Sequence, residues 1–104
     1  MIPPKMDIQP KDLSIVESIL KKYLPSNTTV WIFGSRAKNH ARKFSDLDLA
    51  IDAGKKLPAT TLTNIKFDLE ESDLPYKVDV IDWNTISKNF KNLISKDLTV
   101  LCKT

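Results

Sequence analysis

Two short stretches of this chain carry residue types that can handle a phosphoryl group. Gly34-Ser35 closes the apolar run Thr28–Phe33, and Asp46-Leu47-Asp48 opens the apolar run that ends at Ile51. Asp46 and Asp48 stand two apart, so on a strand they share one face while Leu47, Leu49 and Ile51 point to the other. A third carboxylate, Asp79, lies inside the apolar stretch Tyr76–Asp82, with Val78 and Val80 on one face and Asp79 and Ile81 on the opposite one. A carboxylate within a strand is costly when buried without a partner. Three of them from two neighbouring strands repel one another unless a cation lies between them. Magnesium suits that place, because it takes oxygen ligands and shares them with a substrate phosphate. Two such ions, about 3.5–4 Å apart, clamp an in-line displacement at phosphorus. Asp-x-Asp at a strand start, taken alone, is more often a cap or a solvated edge than a site. Asp82, at a strand end on the opposite face, reads as a turn or cap residue.

The glycine turn adds the second half of the pattern. The chain has only two glycines, and one of them interrupts an apolar run at its end. Gly34 can take positive φ and leaves room for a ligand against the backbone. Ser35 follows with a hydroxyl and an amide at a predicted helix N-terminus, where free N–H groups and the helix dipole favour an anion. Arg36, adjacent to the turn, is the expected phosphate contact. Lys38, Arg42 and Lys43 read as a solvated basic loop, and His40 as a loop residue rather than a base.

These groups need a scaffold, and the apolar periodicity supplies one. Residues 1–9 are broken by prolines and read as a loose lead-in. Pro10 suits a first helical position, and Leu13, Val16, Leu20 and Leu24 recur behind it at helical spacing until Pro25. Thr28–Phe33, Asp46–Ile51 and Tyr76–Asp82 read as strands. Leu62, Ile65 and Leu69 mark a second long helix that Pro75 closes. Asn84 is the expected cap of a third helix carrying Ile86, Phe90, Leu93 and Ile94, and "LTVLC" reads as a short fourth strand. Alternating helices and strands predict an α+β domain over residues 1–104, a small sheet with helices packed on it.

Composition narrows the function classes. With 104 residues there is material for one core, and a large substrate would need a second chain to help grip it. The net charge of +3 fits a polyanionic small ligand or an acidic partner and is too weak to indicate nucleic acid. One cysteine, Cys102, and one histidine, His40, exclude a disulfide framework and Cys- or His-rich metal sites. No apolar run reaches membrane-span length, and the N-terminus lacks the apolar segment of a signal peptide. The expectation is a soluble protein of a reducing compartment, the cytoplasm.

The spaced set "FGSRA", "SDLDLAI" and "KVDVID" resembles the signature of the nucleotidyltransferase superfamily that includes DNA polymerase β, and in particular its minimal bacterial and archaeal members. The resemblance spans nearly all of residues 10–101. It implies the polymerase β-like fold, a mixed sheet with helices packed on it. It implies that Gly34 and Ser35 hold the β- and γ-phosphates of ATP or another nucleoside triphosphate. Asp46 and Asp48 would bridge two magnesium ions, and Asp79 would complete the metal site and activate the attacking hydroxyl. Many relatives carry a glycine soon after this turn, where Lys38-Asn39 stand here. Minimal members often pair with a HEPN-domain ribonuclease as antitoxin and toxin, so the resemblance implies a hetero-oligomer in which AMP passes to a tyrosine of the partner. The chain is not the ribonuclease, since only three residues separate Arg36 from His40, fewer than that enzyme's motif requires. Two alternatives stand beside this one: an antitoxin that silences its partner by binding alone, and a nucleotidyltransferase acting on a small molecule.

Overall fold

A computed structural model describes residues 7–37 and 45–104. The element order is α1 (Pro10–Tyr23), β1 (Thr29–Phe33), β2 (Leu47–Asp52), α2 (Ala59–Glu70), β3 (Val78–Asp82), α3 (Lys88–Ser95) and β4 (Thr99–Lys103). The four strands form one mixed sheet in the order β3-β2-β1-β4. β1 runs antiparallel to both β2 and β4, while β2 and β3 are parallel, α2 making the crossover between them. The helices, the first three strands and the short final strand follow the sequence reading.

Local chemistry explains the boundaries. α1 opens at Pro10 with Asp12 in its first turn and Lys21 and Lys22 in its last, which complements the helix dipole. Pro25 stops it, and Asn27 takes positive φ in the turn that reverses the chain into β1. There the buried Thr28 hydroxyl donates to the Pro25 carbonyl at 2.7 Å. α3 differs from expectation at its start. Its cap is Ser87, whose Oγ accepts from the Phe90 amide at 3.1 Å. Asn84 is occupied elsewhere: its Nδ2 donates to Asp52 Oδ1 at 2.9 Å and to the Lys55 carbonyl at 3.3 Å.

Strand alternation divides the sheet into two faces. Val30, Ile32, Leu47, Leu49, Ile51 and Val80 are buried against Val16 and Leu20 of α1 and Ile65 and Leu69 of α2. The other face carries Trp31, Phe33, Asp48, Ala50, Asp79 and Ile81. α3 leans over it through Phe90, whose ring meets Phe33 edge-on at 6.4 Å between centroids. Trp31 and Trp83 pack on the same side at 5.1 Å.

Candidate active site

Phe33 of β1 pairs with Asp48 of β2, and Asp48 pairs with Asp79 of β3. One row across the sheet therefore holds the last residue before the glycine turn and two of the three expected carboxylates. Gly34 follows Phe33 with φ +77°, a conformation that L side chains rarely adopt. A Cβ added there would also collide with Asp48 Oδ2. The turn thus needs glycine twice, for its backbone conformation and for the carboxylate lying against it. The Ala37 amide donates to the Gly34 carbonyl at 3.2 Å, closing a tight turn over Ser35 and Arg36. The predicted helix start at Ser35 is a turn as far as Ala37. Lys38, His40, Arg42 and Lys43 lie outside the described residues.

Asp48 and Asp79 line a cavity of about 740 Å³, together with Phe33, Phe90 and Tyr76. The Asp48 carboxyl is pushed up to about 6, first by its own burial, then by Asp79 and then by Asp46. Asp46 itself is exposed, just before β2, and does not line the cavity. Asp79 is met by Lys77 Nζ at 3.6 Å, a pair open to solvent. Among the described residues no three acidic, imidazole or thiol groups close into a ready metal cage. The carboxylates still fit a divalent cation, because magnesium takes only one or two of them and fills its remaining positions with water and substrate phosphate. Burial and the acidic neighbours disfavour the charged form of Asp48, a penalty that such an ion would relieve.

Arg36 has a different situation from the one expected of a phosphate contact. It is buried, its Nε donating to the Ser45 carbonyl and its Nη1 to the Asp7 carbonyl, both at 2.9 Å. Its guanidinium lies 3.8 Å over the Tyr76 ring, and its own carbonyl accepts from the Asp7 amide at 2.7 Å. Arg36 therefore bridges the two ends of the segment between the glycine turn and Asp46. The Tyr76 hydroxyl donates to buried Asp12 Oδ2 at 3.1 Å, and burial together with Asp12 raises the tyrosine well above its ordinary range, keeping it a donor. Sequence reasoning missed this Asp12–Tyr76–Arg36 stack. One signal was present: Asp12, Val16 and Leu20 share a helical stripe at four-residue spacing, so Asp12 stood at a core position and needed a partner.

Asp82 is a turn residue, as expected, but a deeply buried one. Its Oδ2 accepts from the Leu57 amide at 2.8 Å and its Oδ1 from the Asn84 amide at 3.0 Å. It fastens the loop entering α2 to the end of β3 and takes no part in the carboxylate row.

The model for polymerase β nucleotidyltransferases matches residues 15–104. The chain belongs to that family. A Haemophilus influenzae protein named as a probable protein adenylyltransferase, MntA, is 43% identical over 97 residues, spanning 93% of this chain and 84% of that one. Among solved structures, a toxin–antitoxin crystal structure with AMP-PNP superposes with a TM-score of 0.74 at 20% identity, over 89% of this chain and 74% of that one. A tri-AMPylated Shewanella oneidensis HEPN toxin in complex with MNT antitoxin gives 0.71 at 20% identity, over 93% and 74%. At that identity the structures establish the nucleotidyltransferase fold, which is the mixed sheet expected from the sequence. Nucleotidyltransferases of this family use divalent metal. No described helix is long and apolar enough to cross a membrane.

Proposed function

We propose that this nucleotidyltransferase moves AMP from ATP to a hydroxyl of a partner protein, a tyrosine of a HEPN-domain ribonuclease, and thereby acts as its antitoxin in the cytoplasm. The observation that carries the reading is the row Phe33–Asp48–Asp79 with Gly34 pressed against Asp48. It brings a glycine turn and two carboxylates to one place. The 43% identity to a protein named as an adenylyltransferase supports the choice of adenylyl transfer.

In this reading the backbone at Gly34 and the Ser35 hydroxyl receive the β- and γ-phosphates. Asp46 and Asp48, with Asp79, would hold magnesium, two ions in all. Metal held there would supply charge stabilisation for the transferring phosphoryl group and the leaving pyrophosphate. Asp79, half-exposed at the cavity, accepts the proton of the incoming hydroxyl. The hydroxyl oxygen bonds to the α-phosphorus, the bond to the β-phosphate oxygen breaks, and pyrophosphate leaves. Arg36 acts as a positioning residue, since its bonds to the Asp7 and Ser45 carbonyls tie the glycine turn to the residue just before Asp46.

The test is to incubate the chain with ATP, magnesium and the partner ribonuclease and weigh the ribonuclease. A gain of whole AMP units that disappears with Asp46→Asn supports the proposal. Silencing of the ribonuclease without mass change, equally by Asp46→Asn, would show that binding alone suffices.

A further inference from the structure

Resting on the adenylyl-transfer reading, we propose that the acceptor enters as an extended segment that pairs with the free edge of β3 and extends the sheet beyond the carboxylate row. β3 is an edge strand. Its ladder to β2 is anchored at one end by the Leu47 amide donating to the Lys77 carbonyl and at the other by the Trp83 amide donating to the Ile51 carbonyl. In a parallel ladder that parity turns the backbone groups of residues 77, 79, 81 and 83 toward β2. The N–H and C=O groups of Val78 and Val80 then point outward. Among the described residues no backbone group meets them. The Asp82 carbonyl, next in that outward series, is taken by the Thr85 amide and hydroxyl, both at 3.0 Å. The open part of the edge is thus confined to the stretch around Asp79.

The cavity runs along this open stretch. Residues 78–81 line it, with Leu69 and Glu70 of α2 on one side and Phe33 and Phe90 on the other. A row of unpaired backbone donors and acceptors at a sheet edge is a template for an extended chain. Neighbouring strands lie about 4.7–4.9 Å apart, and directly paired residues share a face. A strand added here would continue the row Phe33–Asp48–Asp79, so its residue opposite Asp79 would project its side chain onto the carboxylate face, beside Asp79. A hydroxyl-bearing residue at that position meets the group that accepts its proton. The hydroxyl oxygen then takes the α-phosphorus of ATP, and pyrophosphate leaves. The edge would thereby select an acceptor carried on extended backbone, and backbone pairing would supply the alignment that in-line transfer demands.

The test is residue-resolved amide exchange of the full chain with magnesium–ATP, then with the HEPN-domain partner added, alongside transfer assays of Val78→Pro. Proline at the first strand position removes one outward N–H and no bond to β2. The expected result is slowed exchange at Val78 and Val80 only when the partner is present, and a drop in transfer by Val78→Pro on the order of tenfold, as for one lost hydrogen bond at a reacting complex. Its stabilisation by magnesium–ATP should be retained. Protection of these amides by magnesium–ATP alone would make the cavity the nucleoside pocket and overturn the inference. So would protection confined to the Trp31–Trp83 side when the partner binds. If Val78→Pro does not fold, the exchange pattern of the wild type decides. Transfer by the wild type without edge protection refutes the edge alone, whereas the absence of any magnesium–ATP stabilisation refutes adenylyl transfer and this inference with it.

Discussion

The two faces of the sheet are made from the same strands and are built to opposite ends. Leu47, Leu49, Ile51 and Val80 are buried under α1 and α2, where each fully buried aliphatic side chain contributes about 1.5–3 kcal/mol. One residue along on β2 and β3, Asp48 and Asp79 stand side by side on the other face. There Asp48 is held up to about 6 by burial and by its acidic neighbours. One face supplies stability, and the other spends part of it holding carboxylates that repel one another. Repulsion of that kind is expected where a cation and a polyphosphate are to be bound. Alternation at two-residue spacing lets a 104-residue chain do both on one sheet.

That contrast can be broken residue by residue. Asp48→Asn removes a proposed metal ligand from the open face, and transfer should fall about a thousandfold, the equivalent of roughly 4 kcal/mol at the transition state. Its melting temperature without metal should stay level or rise, because a crowded charge is gone. Leu49→Ala on the packed face should do the reverse. Chemical unfolding should show a loss of about 2–5 kcal/mol, with the transfer rate per folded molecule retained. Gly34→Ala places a methyl against the Asp48 carboxylate in a left-handed turn. It should cost about 1 kcal/mol or more in stability and also abolish stabilisation by magnesium, coupling the two faces' readouts. Ser35→Ala removes one proposed phosphate contact among several, and transfer should drop on the order of tenfold, as for one hydrogen bond to a charged group.

The smallest effect is on pH dependence. Asp48 binds its proton more tightly folded than unfolded, so its ionisation opposes folding. In metal-free buffer the wild type should gain stability as pH falls from 7 through about 6 toward its ordinary value of 3.8. Asp48→Asn lacks that contribution. Any stability advantage of Asp48→Asn at pH 7 should therefore shrink on acidification, and a gap independent of pH would mean that Asp48 is not crowded. Partial exposure to solvent keeps the effect modest.

The sequence made the packed face legible because its signal is local. Val30, Ile32, Leu49 and Ile51 alternate within single strands, and Val16 and Leu20 recur within one helix. The carboxylate row was legible only in part: alternation puts Asp48 and Asp79 each on the face opposite the packed aliphatics, but their pairing comes from the register of β2 and β3, and Asp46, two residues before Asp48, lies ahead of the strand and outside the cavity. What escaped depends on residues far apart in the chain. Arg36 reads as a phosphate ligand from its neighbours Gly34 and Ser35. Its situation is instead set by Asp7, Ser45 and Tyr76, and the Tyr76–Asp12 bond spans 64 positions. The α3 cap moved from Asn84 to Ser87 because Asn84 is engaged by Asp52 and Lys55 across the turn. Strand order, which makes β3 an edge, is likewise a property of the assembled sheet.

Thermal melting of the wild type and of Asp48→Asn, each with magnesium and ATP together, tests most directly whether the open face is a metal–nucleotide site. A ligand at a hundred times its Kd adds about 2.7 kcal/mol to the native state, which raises the Tm of a domain this size by about 10 °C or more. The expected result is a rise of that order for the wild type and little or none for Asp48→Asn. A wild-type Tm indifferent to magnesium and ATP, or an equal rise in both proteins, would contradict the assignment of Asp48 and its neighbours to metal-assisted nucleotidyl transfer.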